Sequence, residues 1–191
     1  MNKKIFAGAL ALALFGAAPA FAQSMSAASP SAMKANPMVG GAPMYASKTI
    51  VENAVNSKDH TTLVSLVKKA GLVETLSGPG PFTVFAPTNE AFAKIPAATL
   101  EAVGDNKALL TKVLTYHVVA GKMDSAAIAA AIKAGGGKAT LKTVQGEPLT
   151  AMMVGGKLVL TDAHGGKSTV TIADVMQSNG VIHVVDSVLM P

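Results

Sequence analysis

Apolar residues recur at helical spacing through most of the first half of the chain and at strand spacing through the second, and the two textures meet in residues 81–96, P-F-T-V-F-A-P-T-N-E-A-F-A-K-I-P. Phe82, Val84 and Ala86 alternate with Thr83 and Phe85. Both faces of this strand carry large apolar side chains, so it is expected to be buried on both sides. Pro87 ends it. Thr88 is placed to cap the next helix, Glu90 puts negative charge in the first turn, and Phe92 with Ile95 forms an apolar edge that turns back toward the strand before Pro96.

Upstream, Ser47 is expected to cap a helix carrying Ile50, Val51, Ala54 and Val55 inward. Asp59 is expected to cap a second, with Leu63, Leu66, Val67 and Ala70 at i, i+3, i+4, i+7 and a stop at Gly71. His60 falls near that helix start, where an exposed position is expected. Asp105 or Asn106 caps a later helix whose stripe of Leu109, Leu110, Val113 and Leu114 extends to His117, with Tyr116 at its edge. Asp124 caps an alanine-rich helix over residues 125–134, and three glycines end it. That triplet follows a helix and lacks G-x-x-x-x-G-K-[ST], so it reads as a stop and not a phosphate loop.

Beyond Lys138 the pattern predicts strands at 139–144, 148–154, 157–161, 169–172 and 181–185, with a hairpin signal at Gly155-Gly156 and reversals at Gln145-Gly146-Glu147 and Ser178-Asn179-Gly180. The last places Val181, His183 and Val185 on one face and Ile182, Val184 and Asp186 on the other, the pattern of a central strand. Together these elements predict an α+β domain over residues 47–191, a mostly antiparallel sheet system, sandwich- or wedge-like, with several helices packed on it. Phe85, Leu114 and Val184 are expected in one core. No internal repeat is visible.

Three stretches, in order, carry a resemblance. T-V-F-A-P-T-N-E-A-F (Thr83, Phe85, Pro87, Thr88, Asn89 and Phe92 among them) is similar to the first signature of the fasciclin domain. The Tyr116-His117 pair in L-T-Y-H-V-V-A-G and the closing N-G-V-I-H-V-V-D-S-V-L-M-P, with Asn179, Gly180, His183 and Asp186, resemble its other two. The resemblance runs from about Ser47 to Pro191 and implies the fasciclin fold. It also implies adhesion or binding to other surface or matrix proteins, with the Tyr-His region, linked to integrin recognition in some animal members, as the contact region. The receptor is not carried over, only the class of function. The chain departs from the family pattern at Ala120, where proline is common.

Residues 1–46 add a location. Lys3 and Lys4 precede an apolar run over 5–18, and Ala20-Phe21-Ala22 supplies small residues at the positions a signal peptidase reads, so residues 1–22 are expected to be a secretory signal. The run is too short for a retained membrane helix. Residues 23–46, rich in Ala, Ser, Pro, Gly and Met, read as a flexible linker. Met25, Met33, Met38 and Met44 could ligate soft Cu(I), but no histidine is interleaved with them, and no metal or cofactor is assigned. An exported protein, periplasmic or extracellular, follows, without membrane insertion once the signal is removed.

Composition narrows the chemistry. There is no cysteine, so no disulfide supports the core. All 16 basic residues are lysine, against 11 acidic ones, and the arginines that read bases and phosphates are missing, which argues against nucleic acid as a partner. Tyr116 and His117 are the candidate binding residues. On an apolar stripe His117 reads as a hydrogen-bonded core histidine, while Tyr116, with one polar end, reads as the contact. His183 and Asp186 lie on opposite faces of a regular strand, and His164 falls in a loop. Four scattered histidines without H-E-x-x-H or G-x-S-x-G give no support for an enzyme. The expected function is an adhesion or protein-interaction module at the cell envelope or matrix. The alternatives are a carrier of a hydrophobic ligand or metal, or a carbohydrate-binding module, with a polysaccharide as partner; the absence of tryptophan weakens the last.

Overall fold

The structure, a computed structural model, describes residues 36–191. The expected signal over 1–22, and the part of the expected linker that holds Met25 and Met33, lie outside the described residues.

The first elements are unexpected. Residues 36–46 were expected in the linker, yet β1 (Met38–Val39) and β2 (Ala42–Pro43) pair across Gly40-Gly41 into a small hairpin. Val39 and Met44 are buried beneath it. Two apolar side chains suffice because the turn aims both at the core, and Gly40, at φ +59°, fits where a Cβ would strike Ser57 Oγ.

The helical half follows. α1 (Ile50–Asn56) is capped by Thr49, not Ser47: Glu52 N–H donates to Thr49 Oγ1, and Thr49 N–H donates to the Glu52 carboxylate. A single 3-10 turn (Lys58–His60) takes up Asp59, so α2 (Thr61–Ala70) begins later than expected, and no cap comes from its own N-cap residue. Asn89 supplies one from a distance, its Oδ1 accepting from Thr62 N–H at 3.1 Å. Gly71 closes α2 at φ +76°. Then come α3 (Val73–Ser77), β3 (Phe82–Pro87), α4 (Asn89–Ala93), capped by Thr88, and α5 (Ala97–Asp105), which the pattern did not predict. α6 (Lys107–Tyr116) is capped by Asn106, which accepts from Ala108 and Leu109 N–H at 3.1 Å.

β4 (Val118–Ala120) leads into α7 (Ser125–Ala134), and five strands complete the chain: β5 (Lys138–Lys142), β6 (Pro148–Val154), β7 (Lys157–Thr161), β8 (Lys167–Gln177) and β9 (Gly180–Val185). Together with β3 they form one seven-stranded sheet in the order β4-β3-β9-β8-β7-β6-β5. All neighbours are antiparallel except β3 and β9, second and third in that order, which run parallel. The two ends of the sheet meet at a bridge between Val119 and Thr143, so the sheet nearly closes into a barrel.

This curvature makes two cores. Val84, Ala86, Ile182 and Val184 face the helices, where they meet Leu63, Val67, Leu110 and Leu114. Phe85 and Val185 face the barrel interior, which α7 plugs with Ile128 and Ile132. The expected single core of Phe85, Leu114 and Val184 is therefore two: β3, buried on both faces, separates them, and Phe85 belongs to the barrel.

Candidate functional site

The Tyr116-His117 pair ends α6 where the helix runs into the sheet, and neither ring reaches a surface. His117 is 3 % exposed. Leu189 N–H donates to its Nε2 at 3.0 Å, so the proton sits on Nδ1, which donates to the Val113 carbonyl at 2.8 Å. Protonating Nε2 would set two donors against each other, and burial pushes the imidazole down to about 4. His117 thus fastens the last turn of α6 to the chain after β9.

Tyr116 corrects an expectation. Expected at the stripe's edge with its ring available for contact, it is 0 % exposed and lies in the barrel core. Its hydroxyl donates to the Pro148 carbonyl at 3.2 Å and accepts from Ala163 N–H at 3.2 Å. Burial raises the phenol's pKa. The expected stripe fails because its helix enters the sheet: Leu109 is 38 % exposed, and the buried set is Leu110, Val113, Leu114 and Tyr116.

His183 repeats the scheme. Asp174 N–H donates to Nδ1 at 3.3 Å, Nε2 donates to the Met123 carbonyl at 2.9 Å, and the ring stacks on Phe85 with centroids 5.5 Å apart. Burial lowers its pKa. Asp186, on the other face, accepts from Thr169 N–H at 2.8 Å and shares no partner with His183. His60, expected exposed, is 3 % exposed beneath the N-terminal hairpin, with Nδ1 2.9 Å from Ser57 Oγ and burial again lowering its pKa.

The remaining motif residues fasten segments together. Thr83 Oγ1 donates to the Gly121 carbonyl and accepts from Met123 N–H. Asn89 joins α4 to the start of α2, its amide donating to the Lys58 carbonyl at 2.8 Å. Asn179 accepts from Ile50 N–H, the first of α1, and donates to the Leu76 and Gly78 carbonyls at the end of α3. Gly180 is required because a Cβ there would overlap the Phe82 carbonyl.

Open space lies elsewhere. Between β7 and β8 the sheet splits into a groove of about 860 Å³, lined by Ser125, Ala126 and Ala129 of α7 and by residues of β6, β7 and β8. Met153 and Val154 stand at its rim, 45 % and 55 % exposed. A second gap, between the helices and the helix-facing side of the sheet, is lined by apolar side chains apart from His117 and measures only about 40 Å³. Sequence reasoning missed the larger groove because it ended β8 at residue 172, where irregular alternation begins. Among the described residues no group of three or more His, Asp or Glu is placed to hold a metal ion.

The model of the fasciclin domain matches residues 58–191. The chain belongs to the fasciclin family. It is 48 % identical over 145 residues to protein sll1483 of Synechocystis sp., covering 75 % of this chain and 73 % of that one. It is 38 % identical over 120 residues to the cell surface glycolipoprotein MPB83 of Mycobacterium bovis, covering 63 % of this chain and 48 % of the relative. Among solved structures, a FAS1 domain pair from the insect cell adhesion molecule Fasciclin I superposes with a TM-score of 0.62 over 75 % of this chain and 51 % of that chain, at 17 % identity. That likeness speaks to the fold, and the fasciclin signatures are the residues just described as internal fastenings.

Proposed function

We propose that this fasciclin protein is an exported, non-enzymatic interaction module that binds a protein of the cell envelope or matrix. The observation that carries the reading is where its polar groups point. Tyr116, His117 and His183 have each side-chain nitrogen or hydroxyl committed to a backbone partner, so none offers a proton or a nucleophile to a surface. The larger of the two open features described is a groove of mixed lining, suited to contact over an area. The surface location printed for the MPB83 relative and the adhesive role printed for Fasciclin I support the same class. Among the described residues no helix is long and apolar enough to cross a membrane, and the apolar run that follows Lys3 and Lys4 supports export.

The carrier reading is weaker. Ligand pockets occupy roughly 300–1,000 Å³ and are mostly apolar; the apolar gap is only about 40 Å³, and the groove that has the volume is lined in part by Ser125, Lys157, Thr169, Thr171 and Asp186.

The test is saturable binding of the purified chain to intact cells and envelope fractions of its source organism. Loss of binding after protease treatment of the envelope, with retention after periodate, is expected. The reverse pattern would assign a polysaccharide, and no saturable binding would reject the module.

A further inference from the structure

Two irregularities in β8 open the groove. Its pairing with β9 runs Val170↔Val185, Ile172↔Val184 and Val175↔Ile182, so β8 carries an extra residue at each step. Each bulge bends the strand and increases its twist. Asp174 takes a left-handed φ of +59°, and its carboxylate accepts from the backbone N–H and the hydroxyl of Ser125 at the start of α7. β8 therefore leaves β7 early. Their ladder ends at Val159↔Thr169, although β7 continues back to Lys157 and β8 on to Gln177.

The consequence is a sheet edge in an unusual place. The outer ends of the sheet cover each other through the Val119–Thr143 bridge and the Val144 N–H to Val118 carbonyl bond at 2.7 Å. Ile172 of β8 pairs with Val184 of β9, Thr171 and Ala173 fall in the two bulges beside it, and among the described residues none of the three is paired with β7. Thr171 and Ala173 are exposed and line the groove. An edge with free N–H and C=O groups is a template for another strand.

We propose that this seam receives an extended polypeptide segment, which adds as a strand to the free edge of β8 at residues 171–173. The proposal rests on the interaction-module reading and names its partner class. The lining sets the side chains. Ala126 and Ala129 floor the groove and Met153 and Val154 border it, so the face turned to α7 carries small apolar residues. Charge sets a further preference. Asp186 is already answered by Thr169 N–H and by Lys94 at 4.0 Å, while Lys157 has no ion pair among the described residues, so the groove favours an acidic side chain beside Lys157.

The experiment uses the purified chain and a display library of random seven-residue peptides, with selected sequences then made synthetically. Alternation of small apolar residues with an acid is expected among them. Methylating alternate backbone nitrogens should weaken binding at least about tenfold in one register and little in the other, because only one set of amides faces β8. Ala173→Arg and Ala126→Arg, both at exposed positions, should abolish binding with the melting temperature unchanged, and peptide should slow hydrogen exchange in residues 171–173. Peptides indifferent to N-methylation or to both arginine variants, self-association of the chain through the seam, or a library that yields no binder would each overturn the proposal. The envelope assay separates the two readings. If Ala173→Arg still binds envelope protein while peptides fail, the seam falls and the module stands; if peptides behave as expected but the chain binds no envelope protein, the module falls and the seam stands.

Discussion

The Tyr116-His117 junction and the β7–β8 seam use the same resource, the backbone N–H and C=O groups, in opposite ways. At the junction side chains reach in to satisfy main-chain groups: His117 serves Val113 and Leu189, and Tyr116 serves Pro148 and Ala163. At the seam two bulges pull a strand off its neighbour and leave main-chain groups open to solvent. A buried polar group without a partner costs far more than its bond returns, so the junction tolerates little change. The seam, already solvated, tolerates much. Residues that mark the family most clearly can therefore hold the fold, which leaves the proposed binding to plainer ones.

The largest effect expected from this contrast is at Tyr116. Tyr116→Ala empties a fully buried site and orphans the Pro148 carbonyl and the Ala163 N–H, so a loss of about 3 to 5 kcal/mol is expected in denaturant melts. A loss below about 0.5 kcal/mol, the range of surface changes, would return the ring to the surface role its place in the sequence implied.

Acid probes the junction without mutation. His117 titrates near 4 in the folded protein, below the ordinary 6.5, because burial favours the neutral ring. The unfolded chain thus binds more protons between these values, and stability is complete above about pH 6.5 and falls as pH drops toward 4. From that shift alone about 3 kcal/mol is lost across the window. His60 and His183, lowered by burial as well, act in the same direction. Melts at pH 7 and pH 4.5 check this, and equal stability at both would mean that these rings are not held neutral.

Much of the barrel half was legible because alternation and turn chemistry are local signals. The strands Pro148–Val154 and Lys157–Thr161 and the turn between them, with Gly155 and Gly156 at φ +57° and +80°, follow from their own residues. What escaped depended on distant partners. Asn89 caps a helix 27 residues upstream, and nothing near Thr62 announces it. α5 carries only one large side chain deep in the core, Val103, so its apolar stripe is thin. The N-terminal hairpin buries just Val39 and Met44, too few for a periodic pattern. β8 beyond residue 172 was lost because bulges break the period-two rule, and these same bulges open the groove. Tyr116 was misplaced because a helix stripe assumes one buried face, whereas this helix end is enclosed by the sheet.

Asn179 gives a smaller and more local effect. It joins the start of α1 to the end of α3 through three hydrogen bonds, so Asn179→Ala should cost about 1 to 3 kcal/mol and speed hydrogen exchange in the first turn of α1 before the barrel strands respond. Uniform acceleration across the molecule would show instead that the two ends of the fold open together.

The smallest effect on stability is expected where the effect on binding is large. Met153 and Val154 close β6 at the groove rim, 45 % and 55 % exposed, with little packing to lose. Val154 directly precedes the Gly155-Gly156 turn, which sets the hairpin without help from its side chain. Met153→Ser and Val154→Thr should each change stability by less than about 0.5 kcal/mol. Both keep the backbone edge of β8 intact while removing apolar area that a bound segment would cover, so together they should weaken envelope binding without abolishing it. The double variant and wild type, compared by thermal melt and by saturable binding, decide between the two regions. Unchanged binding with unchanged stability would take the rim out of the contact, and a large loss of stability would mean that the seam, like the junction, holds the fold.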